Sequence, residues 1–298
     1  MSALTTIGLP VALGIIMLGL GLSLTPGDFA RVLKQPKAVI VALACQLLLL
    51  PAVCFGLVLL FQLPPILAVG MMMLAASPGG TTANLYSHLF RGDVALNISL
   101  TAVNSVIAVV TLPLITNLAI VYFNPFDDQL GLQWSKTLEV FAIVLLPVAV
   151  GMLIRRFASK FADAMDRPVR VASVVILVVV IAGAVASNWA LLLDNFAQLA
   201  LITVVFCLIS LSIGYLVPRA IKIGRPQAIA SSFEIGIHNA TLAIVIAQTV
   251  LGSTELSLPA AVYGVLMFFI AFGFGFLIRD RAAANDGDVK TASAPPQS

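Results

Sequence analysis

The chain has 298 residues, 60% of them hydrophobic and only 10% charged, with a mean hydropathy of +1.09 and a net charge of +3. Soluble domains carry about 25% charged residues, so an ordinary cytosolic globule is excluded and a polytopic helical membrane protein fits. So small a net charge points to no nucleic-acid partner.

A membrane-crossing helix needs roughly 20 mostly apolar residues. On that rule nine segments are predicted, at about 5–26, 37–61, 65–89, 93–122, 134–157, 169–188, 193–217, 226–251 and 256–278. No basic residue precedes the first run and no A-x-A site follows it, so a cleaved signal peptide is not expected. The polar tail, 279–298, is rich in Ala, Pro and Ser and is expected to be disordered.

Loop charges orient these segments. Basic residues follow segments 1 (Arg31, Lys34, Lys37), 3 (Arg91), 5 (Arg155, Arg156, Lys160, Arg167, Arg170), 7 (Arg219, Lys222, Arg225) and 9 (Arg279, Arg281, Lys290). Those alternate loops hold all the basic residues but Lys136, which shares the other side with Asp127, Asp128, Asp194 and Glu255. The positive-inside rule then puts the N-terminus outside and the C-terminus in the cytoplasm of an inner (plasma) membrane protein.

Segment 3 is interrupted by Ser77-Pro78-Gly79-Gly80-Thr81-Thr82-Ala83-Asn84, and segment 8 by Glu234-Ile235-Gly236-Ile237-His238-Asn239-Ala240-Thr241. Loosened backbone at membrane depth is tolerated only where protein or a water-filled cavity satisfies it. Paired interruptions in two halves of a chain point to a secondary transporter's binding site. The two lie five segments apart and so cross the membrane in opposite senses. Segments 1–4 and 6–9 can therefore be inverted repeats, with segment 5 unpaired.

Glu234 is the only carboxylate placed deep in a segment. A charge there costs at least about 2.5–3.5 kcal/mol, so it either coordinates a cation or stays protonated in a hydrogen bond between helices. The neighbouring carbonyls of Ile235 and Ile237 are hard-oxygen ligands of the kind sodium takes. In segment 4, Asn97, Thr101, Asn104 and Ser105 share one helical face and can line an ion site or act as interhelical hydrogen-bond glue. Gln46 stands alone in segment 2, where glue is the simpler reading. His238 is open to three roles: neutral ligand, proton carrier, or hydrogen-bond donor to Gln46 or Glu234. His88 belongs at the cytoplasmic end of segment 3, beside Arg91.

Cys45, Cys54 and Cys207 lack metal-ligand spacing and read as small apolar residues, so no transition metal is expected. Pro51, Pro113, Pro147 and Pro218 read as kinks or helix ends. Gly14, Gly19, Gly21, Gly273 and Gly275 read as close-packing positions.

With S-P-G-G-T-x-x-N, then R-G-D-V-A-L-N, then E-x-G-x-H-N in place, the chain resembles the bile acid:sodium symporter family over residues 5–278. The resemblance implies one transmembrane transporter domain, 1–278, with two crossed, broken helices. Its core would be about 37–122 and 193–251, and its panel about 5–26, 134–188 and 256–278. A first sodium would use Asn84, Asn97, Thr101 and Glu234. A second would use Gln46, Glu234, His238 and the carbonyls of Ile235 and Ile237. The family commonly has Gln where this chain has His238, and often Ser where it has Ala83. The organic anion would sit by Thr81, Thr82 and Asn239, where helix N-termini favour negative charge.

Sodium-coupled symport of a bile-acid-like anion, or of a small acid of the pantoate or pyruvate type, is thus the expected function. One or two sodium ions are the only cofactor, the bilayer is the surroundings, and no obligate protein partner is evident. A proton on His238 or Glu234 replacing sodium is the alternative. An enzyme would need a nucleophile beside Glu234 and His238, and none adjoins them.

Overall fold

In hydrocarbon no water is available to backbone N–H and C=O groups, so an apolar chain satisfies them internally as helix. The computed structural model describes residues 9–124 and 134–279, and these are helical almost throughout. In order they form α1 (Leu9–Ser23), α2 (Pro26–Val32), α3 (Pro36–Ala44), α4 (Leu50–Leu60), α5 (Pro65–Ala76), α6 (Thr82–Leu89) and α7 (Val94–Phe123). There follow α8 (Trp134–Phe157), α9 (Ser159–Ser187), α10 (Trp189–Ala220), α11 (Arg225–Gly236), α12 (Ala240–Thr249) and α13 (Leu258–Ile278).

Among the described residues, four helical runs are long and apolar enough to cross a membrane: Pro36–Leu60, Val94–Phe123, Trp189–Ala220 and Glu255–Ile278. The first joins α3 to α4 through a π-turn, Cys45–Leu49, in which the N–H of Leu50 reaches back to the carbonyl of Cys45. Pro51 follows at once and can donate no helical hydrogen bond, which suits a locally widened turn. Gln46 lies in that turn, buried.

Two features depart from the sequence reading. The helix α2 was not expected; Thr25 and Asp28 nucleate it, with the Asp28 carboxylate accepting from the Thr25 N–H at 2.7 Å and from its hydroxyl at 2.8 Å. The sixth segment begins at Ser159 rather than 169, because Lys160 to Met165 are good helix formers and the turn falls earlier, at Ala158. Asp127, Asp128, Arg281, Lys290 and the expected tail beyond Arg279 lie outside the described residues.

The predicted interruptions separate α5 from α6 and α11 from α12. The turns leading into α5 and α11 are alike. Gln62 (φ 50°) and Lys222 (φ 64°) are left-handed at the ends of α4 and α10. Leu63 N–H returns to Val58 and Ile223 N–H to Pro218, with Gln62 to Leu59 and Lys222 to Arg219 inside them. These are Schellman closures. Both α5 and α11 then run for 12 residues before breaking.

Helices α1, α8 and α9 pack on one another, and α13 packs chiefly along α10, with further contact to α12 and α5. The resemblance groups 256–278 with 5–26 and 134–188; α13 also touches α9 of that group. Small residues let α1 and α8 approach closely. A Cβ on Gly21 would lie 2.2 Å from the Val148 carbonyl oxygen, and one on Gly151 2.5 Å from that of Leu18. Gly14 and Gly273 have open space instead, and Gly275 receives the ring of Phe90. Gly21→Val should therefore destabilise by about 1–3 kcal/mol through overpacking, read as a lowered melting temperature in detergent, whereas Gly14→Ala should leave it unchanged.

Candidate functional site

The two breaks meet. Gly79 and His238 form an isolated antiparallel bridge. It is flanked by Gly80 N–H donating to the Ile237 carbonyl at 2.7 Å and Asn239 N–H donating to the Pro78 carbonyl at 2.8 Å. In an unbroken helix the Asn239 N–H would serve Ile235, so this crossing releases the Ile235 carbonyl from the helical ladder. The ends of α5 and α11 and the beginnings of α6 and α12 thus converge on one point. Helix C-termini favour cations and N-termini anions, so the crossing can serve both.

Glu234 lies in the last turn of α11, only 2% exposed. Its Oε2 accepts from the Thr101 hydroxyl at 2.5 Å, across 133 residues of sequence. The Asn104 side chain and the Gly79 backbone face the same carboxylate, while Oε1 has no hydrogen-bond partner. A Cβ on Gly79 would lie 2.3 Å from Cδ and Oε1 of Glu234, so only glycine fits there. Asn97, one turn before Thr101, donates from Nδ2 to the Ser87 hydroxyl and the Ala230 carbonyl, both at 2.8 Å. Its Oδ1 is unpartnered, as are those of Asn84 and Asn104.

The described ion pairs, Arg31–Asp28 and Arg155–Asp163, do not involve Glu234. A buried carboxylate at a helix C-terminus, faced by the Asn104 side chain whose oxygen lacks a donor, offers a hard cation the oxygens it prefers and gains the countercharge it lacks.

Gln46 and His238 converge elsewhere. Gln46 Nε2 donates to the Ser77 carbonyl at 3.0 Å, and His238 Nδ1 lies 3.3 Å from the same oxygen. That carbonyl is the one Pro78 frees by ending α5. The His238 ring stacks on Phe206 (5.6 Å between centroids, 18° between planes) and takes Tyr263 edge-on at 5.4 Å. Tyr263 donates in turn to the Gly236 carbonyl at 2.8 Å.

A cavity of about 580 Å³ opens beside the crossing, within the range of ligand sites. Thr81, Thr82, Asn84 and Asn239 line it on the polar side; Met17, Leu22, Leu85, Met267 and Phe268 are among its apolar walls. Among the described residues no lysine or arginine lines it. The Asn239 side-chain oxygen is committed to capping α12 through the Leu242 N–H at 3.0 Å, which leaves its Nδ2 for a ligand. His88 also lines the cavity. Sequence reading placed it at the cytoplasmic end of segment 3 and not in the site; its spacing of i+3, i+4 and i+7 from Leu85, Asn84 and Thr81 was the available signal. Ser87 and Gly79 were likewise missed as site residues.

A profile of the Sodium Bile acid symporter family matches residues 10–195. The chain is 33% identical to the probable chloroplastic sodium/metabolite cotransporter BASS1 of Arabidopsis thaliana, over 86% of this chain and 62% of that protein. It is 28% identical to the uncharacterized sodium-dependent transporter YocS of Bacillus subtilis, over 86% of this chain and 78% of the relative. Similarity to the human P3 protein is 29%, covering 72% of this chain and 45% of that one. The chain thus spans less than two thirds of the length of the plant relative.

Proposed function

Because this chain belongs to the Sodium Bile acid symporter family, we propose that it carries an organic anion into the cell by sodium-coupled alternating access, with sodium held at Glu234. The carrying observation is the Glu234 carboxylate: 2% exposed and, among the described residues, with Oε1 unpartnered and no cationic side chain paired to it. Asn97, Thr101 and Asn84 complete this site in our reading. Sodium bound there ties α7 to α11 and stiffens the crossing, so that the helix N-termini beside Thr81, Thr82 and Asn239 are ready for the anion only when the ion is present. The cavity's volume and apolar walls favour an amphipathic anion over a three-carbon acid.

In this reading the chain crosses the membrane nine times, with its N-terminus outside and segments 1–4 and 6–9 as inverted repeats. The matching turns into α5 and α11 support the repeat. The contacts of Lys37 with the Ile221 carbonyl and of Arg225 with the Ile278 and Arg279 carbonyls gather basic residues at one end, in support of the orientation. The unit that rocks is α1, α8 and α9, and α13 travels with α10 and the broken helices.

The test is uptake into proteoliposomes under an inward sodium gradient, using labelled taurocholate, pantoate and pyruvate in turn. At least one should accumulate, and only with sodium; equal uptake of all three in choline would end the proposal. Thr101→Val should weaken sodium by about 10- to 100-fold, since a hydrogen bond to a charged group contributes about 1.5–3 kcal/mol. Sodium titration of the uptake rate reads this directly.

A further inference from the structure

We infer that His238 takes the place of a second sodium ion, so that this chain binds one sodium rather than two. The inference rests on the sodium-coupled reading above and goes beyond it in fixing the number of ions and the residue that sets it.

The groups a second sodium would need are turned to other uses. A cation requires acceptors, but at the Ser77 carbonyl both Gln46 Nε2 and His238 Nδ1 arrive as donors, at 3.0 and 3.3 Å. Opposite a carbonyl oxygen a ring nitrogen can only donate, so the tautomer is set by its partner. The Ile237 carbonyl already accepts from Gly80 N–H at 2.7 Å. Of the side chains expected at the second site, three acceptors remain without partners among the described residues, Gln46 Oε1, His238 Nε2 and Glu234 Oε1, the last already called on by the first sodium. With the released Ile235 carbonyl they fall well short of the roughly six oxygens that hard cations take, and one of them is nitrogen.

Rotation of the imidazole does not repair this. Phe206 covers its face and Tyr263 its edge, all three side chains being buried, and Tyr263 is itself anchored to the Gly236 carbonyl. The ring is therefore held with Nδ1 toward Ser77.

What an ion would do at this point, the N–H does without one. The backbone turns extended at Ser77, before Pro78, so the Ser77 carbonyl loses the Thr81 N–H that a continued helix would bring, and a buried carbonyl without a partner is costly. His238 supplies that partner from the opposite break. The crossing is thus closed by three protein hydrogen bonds, Ser77–His238, Pro78–Asn239 and Gly80–Ile237. A glutamine at 238, with a flexible amide offering oxygen or nitrogen, could instead turn its oxygen to an ion.

The test needs no knowledge of the anion. Purified protein is titrated with radiolabelled sodium at equilibrium, with choline holding the ionic strength. The wild-type chain should bind one sodium with a hyperbolic isotherm, and His238→Gln should bind two with a sigmoidal one. Two ions on the wild-type protein would overturn the inference. One ion on both proteins would overturn the role of His238. No ion on the wild type would overturn the sodium-coupled reading and this inference with it. If His238→Gln fails to fold, the wild-type count still decides the number.

Discussion

Glu234→Gln is expected to fold normally and to lose at least about 100-fold in sodium affinity, a loss of roughly 2.7 kcal/mol. Glutamine has the shape of glutamate and keeps an oxygen for the Thr101 hydroxyl, now 2.5 Å from the carboxylate. What it lacks is the charge. In the wild-type chain that charge sits almost fully buried at the C-terminal end of α11, with no cationic side chain among the described residues paired to it, an arrangement that is unfavourable on its own and favourable with a cation. The amide would also supply N–H groups beside the Asn104 side chain, whose oxygen is orphaned. The variant's melting temperature without sodium should therefore equal or exceed that of the wild type. Its rise on adding sodium should vanish, and uptake should be no greater in sodium than in choline. A sodium-induced thermal shift within twofold of the wild type would remove Glu234 from the ion site. A variant that simply unfolds is answered by Glu234→Asp, which keeps the charge on a shorter arm and should retain a weakened sodium response.

Local signals in the sequence led to some of this arrangement and not to the rest. The breaks announce themselves, because Pro78, Gly79 and Gly80 are poor helix residues within an apolar run. The face bearing Asn97, Thr101 and Asn104 follows from helical period alone. The Thr101–Glu234 contact joins residues 133 apart and the Ser77–His238 contact residues 161 apart; no periodicity within either segment encodes which break meets which. For the same reason Gly79 read only as a helix breaker, although its lack of a side chain is what admits the Glu234 carboxylate. The packing of α13 turns on the same kind of fact. Its composition is that of any apolar span, and only its contacts with α10 assign it a neighbour. That His88 lines the cavity was not legible either, because the cavity runs along the α6 face from Thr81 toward it.

Gly79→Ala should match the loss seen with Glu234→Gln while leaving every ionisable group in place. The added methyl would lie 2.3 Å from Cδ and Oε1 and 2.6 Å from Oε2 of Glu234, distances that no adjustment of a few tenths of an ångström relieves. One side must move. The Gly79 backbone is pinned by its bridge to His238 and by the hydrogen bonds at Pro78 and Gly80 on either side, so the carboxylate is the freer partner and must leave the Thr101 hydroxyl. The cost to folding should be that of overpacking, about 1–3 kcal/mol, and the sodium response should fall by a factor comparable to that of Glu234→Gln. Gly80→Ala is the control. Its methyl would meet the His238 carbonyl oxygen at 3.3 Å and the Ile237 carbonyl and Thr82 hydroxyl at 3.5 Å, contacts that small shifts accommodate, so its sodium affinity should stay within a few-fold. Because Gly79 acts through Glu234, the two substitutions should not add: in a Glu234→Gln background, Gly79→Ala should change the sodium response no further. A Gly79→Ala protein with wild-type sodium affinity would mean that the ion does not need the carboxylate where it stands, and the ion site would have to be sought away from the crossing.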